Sequence, residues 1–190
     1  MTQAFDIVVV GAGMVGAALA TGLGQNGFSV ALIDRSPPPA FSPDTAPDIR
    51  VSALSAGSER YLQSLGAWDH ILGMRATPYK RLAVWDETRF PLQNLVPRKL
   101  AEVQFDATEL GAHHLGHIVE NSVTQQALWQ TADACPHVTL FHGHGVASLA
   151  QSGDTATVTL DDDLELLASL VVGCDGAQSR IRDLAGIGTN

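Results

Sequence analysis

Phe5-Asp6-Ile7-Val8-Val9-Val10-Gly11-Ala12-Gly13-Met14-Val15-Gly16 is the stretch on which the fold turns. Its first half is an apolar run closing on three successive valines, which reads as a strand buried on both faces, as in a parallel sheet. Its second half is a GxGxxG turn opening a helix from Met14 to Asn26, which Asn26-Gly27 ends. Ser29 to Ile33 is the next apolar strand, and Asp34 closes it 18 residues after Gly16. Strand, glycine turn, helix, strand and acid in about 30 residues form the context that a dinucleotide fingerprint requires. Each position has a physical task. Gly11 makes the tight turn, Gly13 lacks the Cβ that would hold a pyrophosphate off the backbone, and Gly16 lets helix and strand pack closely. The helix start at Met14 and Val15 offers free N–H groups and a partial positive charge to phosphates. The Asp34 carboxylate accepts from ribose hydroxyls and repels a 2′-phosphate, which disfavours NADP at this site. The fingerprint does not separate FAD from NAD.

Outward from that unit, Ser36 to Pro47 carries five prolines and reads as an irregular loop. The pattern then predicts a helix over Ser52 to Leu65, stopped by Gly66. Short strands are expected at Arg81 to Trp85 and Glu102 to Phe105 within an inserted segment. A helix over Ser122 to Ala134 and a third strand at His137 to Phe141 follow. Residues 145 to 170 alternate apolar and polar, broken by turns at Ser152-Gly153-Asp154 and Asp161-Asp162-Asp163, as in an antiparallel meander. Leu170 to Gly173 reads as another buried strand and Ala177 to Leu184 as a helix. The fold class is α/β: a Rossmann-like domain with a parallel sheet, an antiparallel β-meander and a small β insertion.

Bulk properties narrow the function classes. The 190 residues suffice for one domain, 45% of them are hydrophobic, and the net charge of −9 argues against a nucleic-acid surface. The two cysteines, Cys135 and Cys174, offer neither a disulfide framework nor a CxxC site. No apolar run reaches the ~20 residues that span a bilayer, and the N-terminus lacks the basic region of a signal peptide.

Two further segments carry a family resemblance. Gly173-Cys174-Asp175-Gly176-Ala177-Gln178-Ser179-Arg180, followed by Ile181-Arg182, resembles the DG motif of class A flavoprotein monooxygenases, with Cys174 where a small residue usually stands. Asp48-Ile49-Arg50-Val51-Ser52-Ala53-Leu54 is similar to that group's arginine segment. Within the group, residues 47–69, 115–130 and 171–187 are closer still to the aromatic hydroxylases of ubiquinone biosynthesis. The resemblance implies FAD held by Gly11, Gly13, Met14, Val15, Gly16, Asp34, Arg35, Arg50, Asn121 and Asp175. It assigns Arg50 to the cofactor's phosphates or flavin end and Asn121 to the flavin side. It further implies NAD(P)H as a transient electron donor and flavin C4a-hydroperoxide chemistry on a polyprenylated phenol or quinol with O₂. A place in a ubiquinone-biosynthesis protein complex, and a cytoplasmic location at the periphery of the inner membrane, belong to the same implication. Residues 76–106 would be a β insertion toward a substrate domain. The family's later GDAAH-type segment does not occur within 190 residues, so the chain reads as the N-terminal part of the FAD-binding domain, with the C-terminal flavin and substrate portion absent. Alternatives are another FAD-linked oxidoreductase, or a nucleotide-binding module without catalysis.

Other features read plainly. His113-His114-x-x-His117 and His142-x-His144 lack the partners at defined spacing that a metal site uses, and no metal is expected. Ser179 lacks a nucleophile elbow and reads as a helix start. Trp68, Trp85 and Trp129 read as packing residues. No catalytic residue is assigned.

Overall fold

The computed structural model describes residues 2–85 and 102–188. The opening strand, β1 (Thr2–Val10), sits at the centre of a six-stranded sheet. Helix α1 (Met14–Gln25) leads to β2 (Val30–Asp34), which pairs parallel to β1 with Ile7 opposite Val30. The period of two along β1 sends Ile7 and Val9 to one face and Val8 and Val10 to the other. All four are buried, which is why the run is apolar without alternation.

Residues 52–55 were expected to begin a helix and instead lie in β3 (Val51–Ser55), with α2 (Ala56–Leu65) beginning directly after it. The physical reason is long-range pairing: β3 runs antiparallel to β7 (Gly116–Glu120), with Val51 opposite Glu120. Ser55 marks the change, because its hydroxyl accepts from Ser58 N–H as an N-cap. Gly66 ends α2 in the left-handed conformation, as expected. Two elements absent from the expectation follow: α3 (Trp68–Met74) and β4 (Thr77–Tyr79), which pairs with β7. The expected insertion strands form an antiparallel ribbon of β5 (Arg81–Trp85) and β6 (Glu102–Asp106). Residues 86–101 of the proposed 76–106 insertion lie outside the described residues.

Helix α4 (Asn121–Asp133) packs on α1 and leads to β8 (Val138–His142), parallel to β2. The meander is β9 (Val146–Ser152), β10 (Thr155–Leu160) and β11 (Glu165–Gly173). Leu164–Leu166 and Leu170–Gly173 were read as separate strands; one strand serves both purposes. β11 pairs antiparallel with β10 and parallel with β1, giving the order β8-β2-β1-β11-β10-β9. Leu170, expected to be buried, is 52% exposed. The expected helix over 177–184 shortens to α5 (Arg180–Leu184), because Ser179 takes the N-cap and accepts from Arg182 N–H. On one face of the sheet, α1, α4, Leu62, Trp68 and Ile71 bury Val9 and Leu32. On the other, Val158, Leu160 and Ile181 bury Val8 and Ile33. Each such fully buried Val, Leu or Ile contributes about 1.5–3 kcal/mol. Trp68 is in this core and Trp129 packs against it, but Trp85 is 42% exposed.

Candidate functional site

The site forms where β1, β2 and β11 end together. Gly11 turns with φ of 99°, a region that disfavours a side chain, and a Cβ there would lie 2.5 Å from the Cys174 carbonyl oxygen. A Cβ on Gly16 would collide with the Gly11 carbonyl. These two glycines therefore let α1, the turn and the end of β11 pack onto one another. Gly13 differs: a Cβ there would meet nothing within 4 Å, so its face of the turn is open. Gly13 is also the N-cap of α1, and its carbonyl accepts the helix's first bond, from Ala17 N–H. The first-turn amides of Met14 and Val15 have no intrahelical acceptor, and Val15 is 72% exposed. Space, donors and a helix dipole meet here with no acidic side chain in the first turn.

Asp34 stands beside this turn. Its Oδ2 accepts from Ala12 N–H at 2.6 Å and its Oδ1 from Ser36 N–H at 3.0 Å. The carboxylate thus fixes the turn, and its remaining lone pairs are available to hydroxyl donors. Gly11, Asp34, Arg35 and Asp175 line one cavity of about 350 Å³ with His144, Gly145 and Arg180. Arg35 follows β2, and its guanidinium covers Gly145, where a Cβ would lie 2.5 Å from Nη2.

Asp175 joins this cavity through the turn before α5. Its Oδ1 accepts from the Ser179 hydroxyl at 2.5 Å and its Oδ2 from Ile181 N–H at 3.0 Å. Burial by itself raises the Asp175 carboxyl, but these hydrogen bonds outweigh it and hold it below the usual carboxylate range. Cys174 is the reverse case: burial, then the neighbouring Asp175 charge, push its thiol up, so it stays protonated and unreactive at neutral pH.

Arg50 and Asn121 form a second group. Arg50 is exposed, its carbonyl accepts from Asn121 N–H at 3.0 Å, and Asn121 Oδ1 accepts from the Ser52 hydroxyl at 2.6 Å. One turn along α4, Gln125 Nε2 reaches the Ala12 carbonyl at 3.5 Å, so α4 bridges the two groups. The sequence reading passed over Gln125. It also passed over Glu120, which is 8% exposed and accepts from Asp48 N–H at 2.6 Å and from Arg75 Nη1 at 3.0 Å. Arg75 Nη2 in turn donates to the carbonyls of Pro43 and Thr45. This clasp ties the proline loop and the approach to Arg50 onto the start of α4. No local spacing announces it, because the partners are 45 and 72 residues from Glu120.

With this geometry in hand, comparison with known proteins is specific. Residues 4–190 match the FAD binding domain family. The chain is 44% identical over 99% of its length to the 3-demethoxyubiquinol 3-hydroxylase of Escherichia coli, covering 45% of that protein. It is 34% identical to the mitochondrial ubiquinone biosynthesis monooxygenase COQ6 of Mus musculus, covering 96% of this chain and 39% of the relative. The chain therefore spans under half the length of the curated relatives it matches. Among solved structures, PqsL of Pseudomonas aeruginosa, a probable FAD-dependent monooxygenase, aligns with a TM-score of 0.71 at 18% identity over 99% of this chain and 47% of that one. The p-nitrophenol 4-monooxygenase PnpA of Pseudomonas putida aligns with a TM-score of 0.72 at 22% identity over 97% and 44%. Both structural likenesses speak to the fold.

Proposed function

The chain belongs to the FAD-binding domain family, and from that premise we propose that the whole protein is an FAD-dependent monooxygenase. It hydroxylates a polyprenylated phenol or quinol ring in ubiquinone biosynthesis. The observation that carries this reading is the 44% identity to the E. coli 3-demethoxyubiquinol 3-hydroxylase, maintained across 99% of the chain.

The residues present fit the cofactor. The open face of Gly13 leaves room for a pyrophosphate, and the Met14 and Val15 amides at the start of α1 supply donors to it. Asp34 takes the ribose hydroxyls of the adenosine half, and Arg35 flanks them in the same cavity. Arg50 supplies a fixed cation for the phosphates or the flavin end. Asn121 stands toward the flavin side, with its side-chain oxygen held by Ser52. Asp175, kept ionised by Ser179 and Ile181, fixes the turn that closes the cavity near Gly11. Reduced FAD, with O₂, supplies the oxygen-transfer chemistry, and the chain's contribution is binding, orientation and a fixed electrostatic setting. NAD(P)H serves as the transient electron donor.

A polyprenyl substrate resides in lipid. No helix among the described residues is long and apolar enough to cross a membrane. The reading therefore puts the protein at the cytoplasmic periphery of the inner membrane, within a ubiquinone-biosynthesis complex. The β5–β6 ribbon is the insertion reaching toward the substrate portion. Its Leu82, Val84, Val103 and Phe105 share one face and are 46–57% exposed.

The deciding experiment supplies full-length protein with FAD, reduced nicotinamide, ¹⁸O₂ and a short-chain 3-demethoxyubiquinol. Label in a new ring hydroxyl is expected. Nicotinamide oxidation yielding only peroxide and unlabelled quinol would reject the hydroxylase reading while leaving FAD binding intact.

A further inference from the structure

Away from the cofactor cavity, three side chains of complementary chemistry meet between α2 and the β3–β7–β4 sheet. His117 lies near the start of β7 opposite Leu54, and Glu59 lies in the first turn of the helix that starts one residue beyond β3. That turn brings the Glu59 carboxylate back over the strand pair. Each of its oxygens meets a different imidazole: Oε1 is 2.5 Å from His117 Nδ1 and Oε2 is 3.0 Å from His114 Nε2. One ligand atom from each of the three residues lies within 4.8 Å of the other two. The imidazole rings are 4.6 Å apart at 70°, so their nitrogens converge on the carboxylate rather than stacking.

The surroundings suit a bound cation. The side chains of Glu59 and His117 are each 12% exposed, and the Trp68 ring packs edgewise on His117 at 5.1 Å. His114 is 33% exposed and leaves an entry path from solvent. The spacing His113-His114-x-x-His117 alone lacked a third ligand; Glu59 supplies one from 55 positions away from His114.

We propose that Glu59, His114 and His117 bind one divalent transition-metal ion of the Zn²⁺ class, with water completing the shell on the His114 side. Two imidazole nitrogens and a carboxylate are a donor set such ions take at about 2.0–2.2 Å, which corresponds to tetrahedral edges of roughly 3.3 Å. The two observed pairs, His117 Nδ1–Oε1 at 2.5 Å and His114 Nε2–Oε2 at 3.0 Å, lie within about one ångström of that edge, so modest opening with one carboxylate oxygen turned inward would admit the ion. The ligands come from α2, β7 and the loop ahead of β7, so the ion would add a cross-link among them. This site is independent of the cofactor reading.

The test uses untagged full-length protein, stripped with a chelator and titrated with Zn²⁺, with Co²⁺ as a spectroscopic probe. One equivalent bound with micromolar or tighter affinity is expected, together with Co²⁺ visible absorption bands typical of low coordination number. Glu59→Gln and His114→Ala should each weaken Zn²⁺ binding at least tenfold with native circular dichroism. His114→Ala carries the test if His117→Ala fails to fold, because His114 lies on a loop and is partly exposed. Absence of saturable uptake by the wild type overturns the proposal, as does wild-type Zn²⁺ affinity in Glu59→Gln and His114→Ala. Loss of binding in His144→Ala instead would move the ion to His144, Asp161 and Asp162 and would equally overturn it.

Discussion

A side chain added at Gly11 and one added at Gly13 meet opposite surroundings, although the two residues are two positions apart. At Gly11 an alanine Cβ would enter the Cys174 peptide and the backbone would be held at positive φ. Strain of that kind costs about 1–3 kcal/mol before the contact is counted. Gly11→Ala should therefore lower the melting temperature of the protein. At Gly13 the φ of −64° suits any residue and the space is open, so Gly13→Val should leave the apo melting temperature almost unchanged. The same variant should weaken FAD at least tenfold, about 1.4 kcal/mol, because the methyls fill the room left for pyrophosphate. A flavin titration beside a thermal melt checks both; full yellow flavin content in Gly13→Val would contradict the assignment. Asp175 gives a pH dependence. Its folded pKa lies below the ordinary value of 3.8, so its contribution to stability is complete above that value and is lost as pH falls through the folded pKa. Asp175→Asn should be less stable than wild type from neutral pH down to about pH 4, with the gap closing below it in melts across the acid range.

At the scale of elements, the junction of β7 and α4 matters for what it holds. Glu120 fastens Arg75 and the Asp48 amide, Asn121 fastens the Arg50 carbonyl, and Gln125 touches the fingerprint loop at Ala12. Replacing Glu120 by Gln keeps an acceptor for the Asp48 amide but removes the charge opposite Arg75. A charge-assisted hydrogen bond of this kind contributes about 1.5–3 kcal/mol. Glu120→Gln should lower thermal stability by a few degrees and weaken FAD. If the clasp acts on the cofactor by holding the segment that carries Arg50, the double variant with Arg50→Ala should lose less FAD affinity than the two single losses combined. Additive losses in that double-mutant cycle would show that the clasp is structural only.

For the whole molecule, the helical face of the six-stranded sheet buries a core, while among the described residues one face of the β5–β6 ribbon is exposed. Leu82 opposite Phe105 and Val84 opposite Val103 form an exposed apolar patch of four side chains. Such patches promote association when nothing covers them. The 190-residue chain on its own should self-associate. Val84→Thr with Phe105→Thr should shift it toward monomer in light scattering after gel filtration, at unchanged melting temperature. A monomeric wild-type chain would remove the argument.

The β-α-β unit, its glycine turn, Asp34 and the meander are written in local sequence, because each rests on contacts within a short span or on an unbroken apolar run. The Ser179 cap is local too, lying three residues from the amide it satisfies. What the sequence left open was decided by partners far along the chain. Residues 51–55 have helical neighbours and modest strand character, and they become β3 because β7, some 60 residues later, offers its edge. The joining of the last meander strand and Leu170–Gly173 into the single strand Glu165–Gly173 follows from β1 lying beside it. Glu120 with Arg75, and Glu59 with two histidines, are pairings of charge and hydrogen-bond capacity that no periodicity encodes. Only the packing of α2, α4 and β7 brings those groups within bonding distance, and so only the tertiary structure assigns them a task.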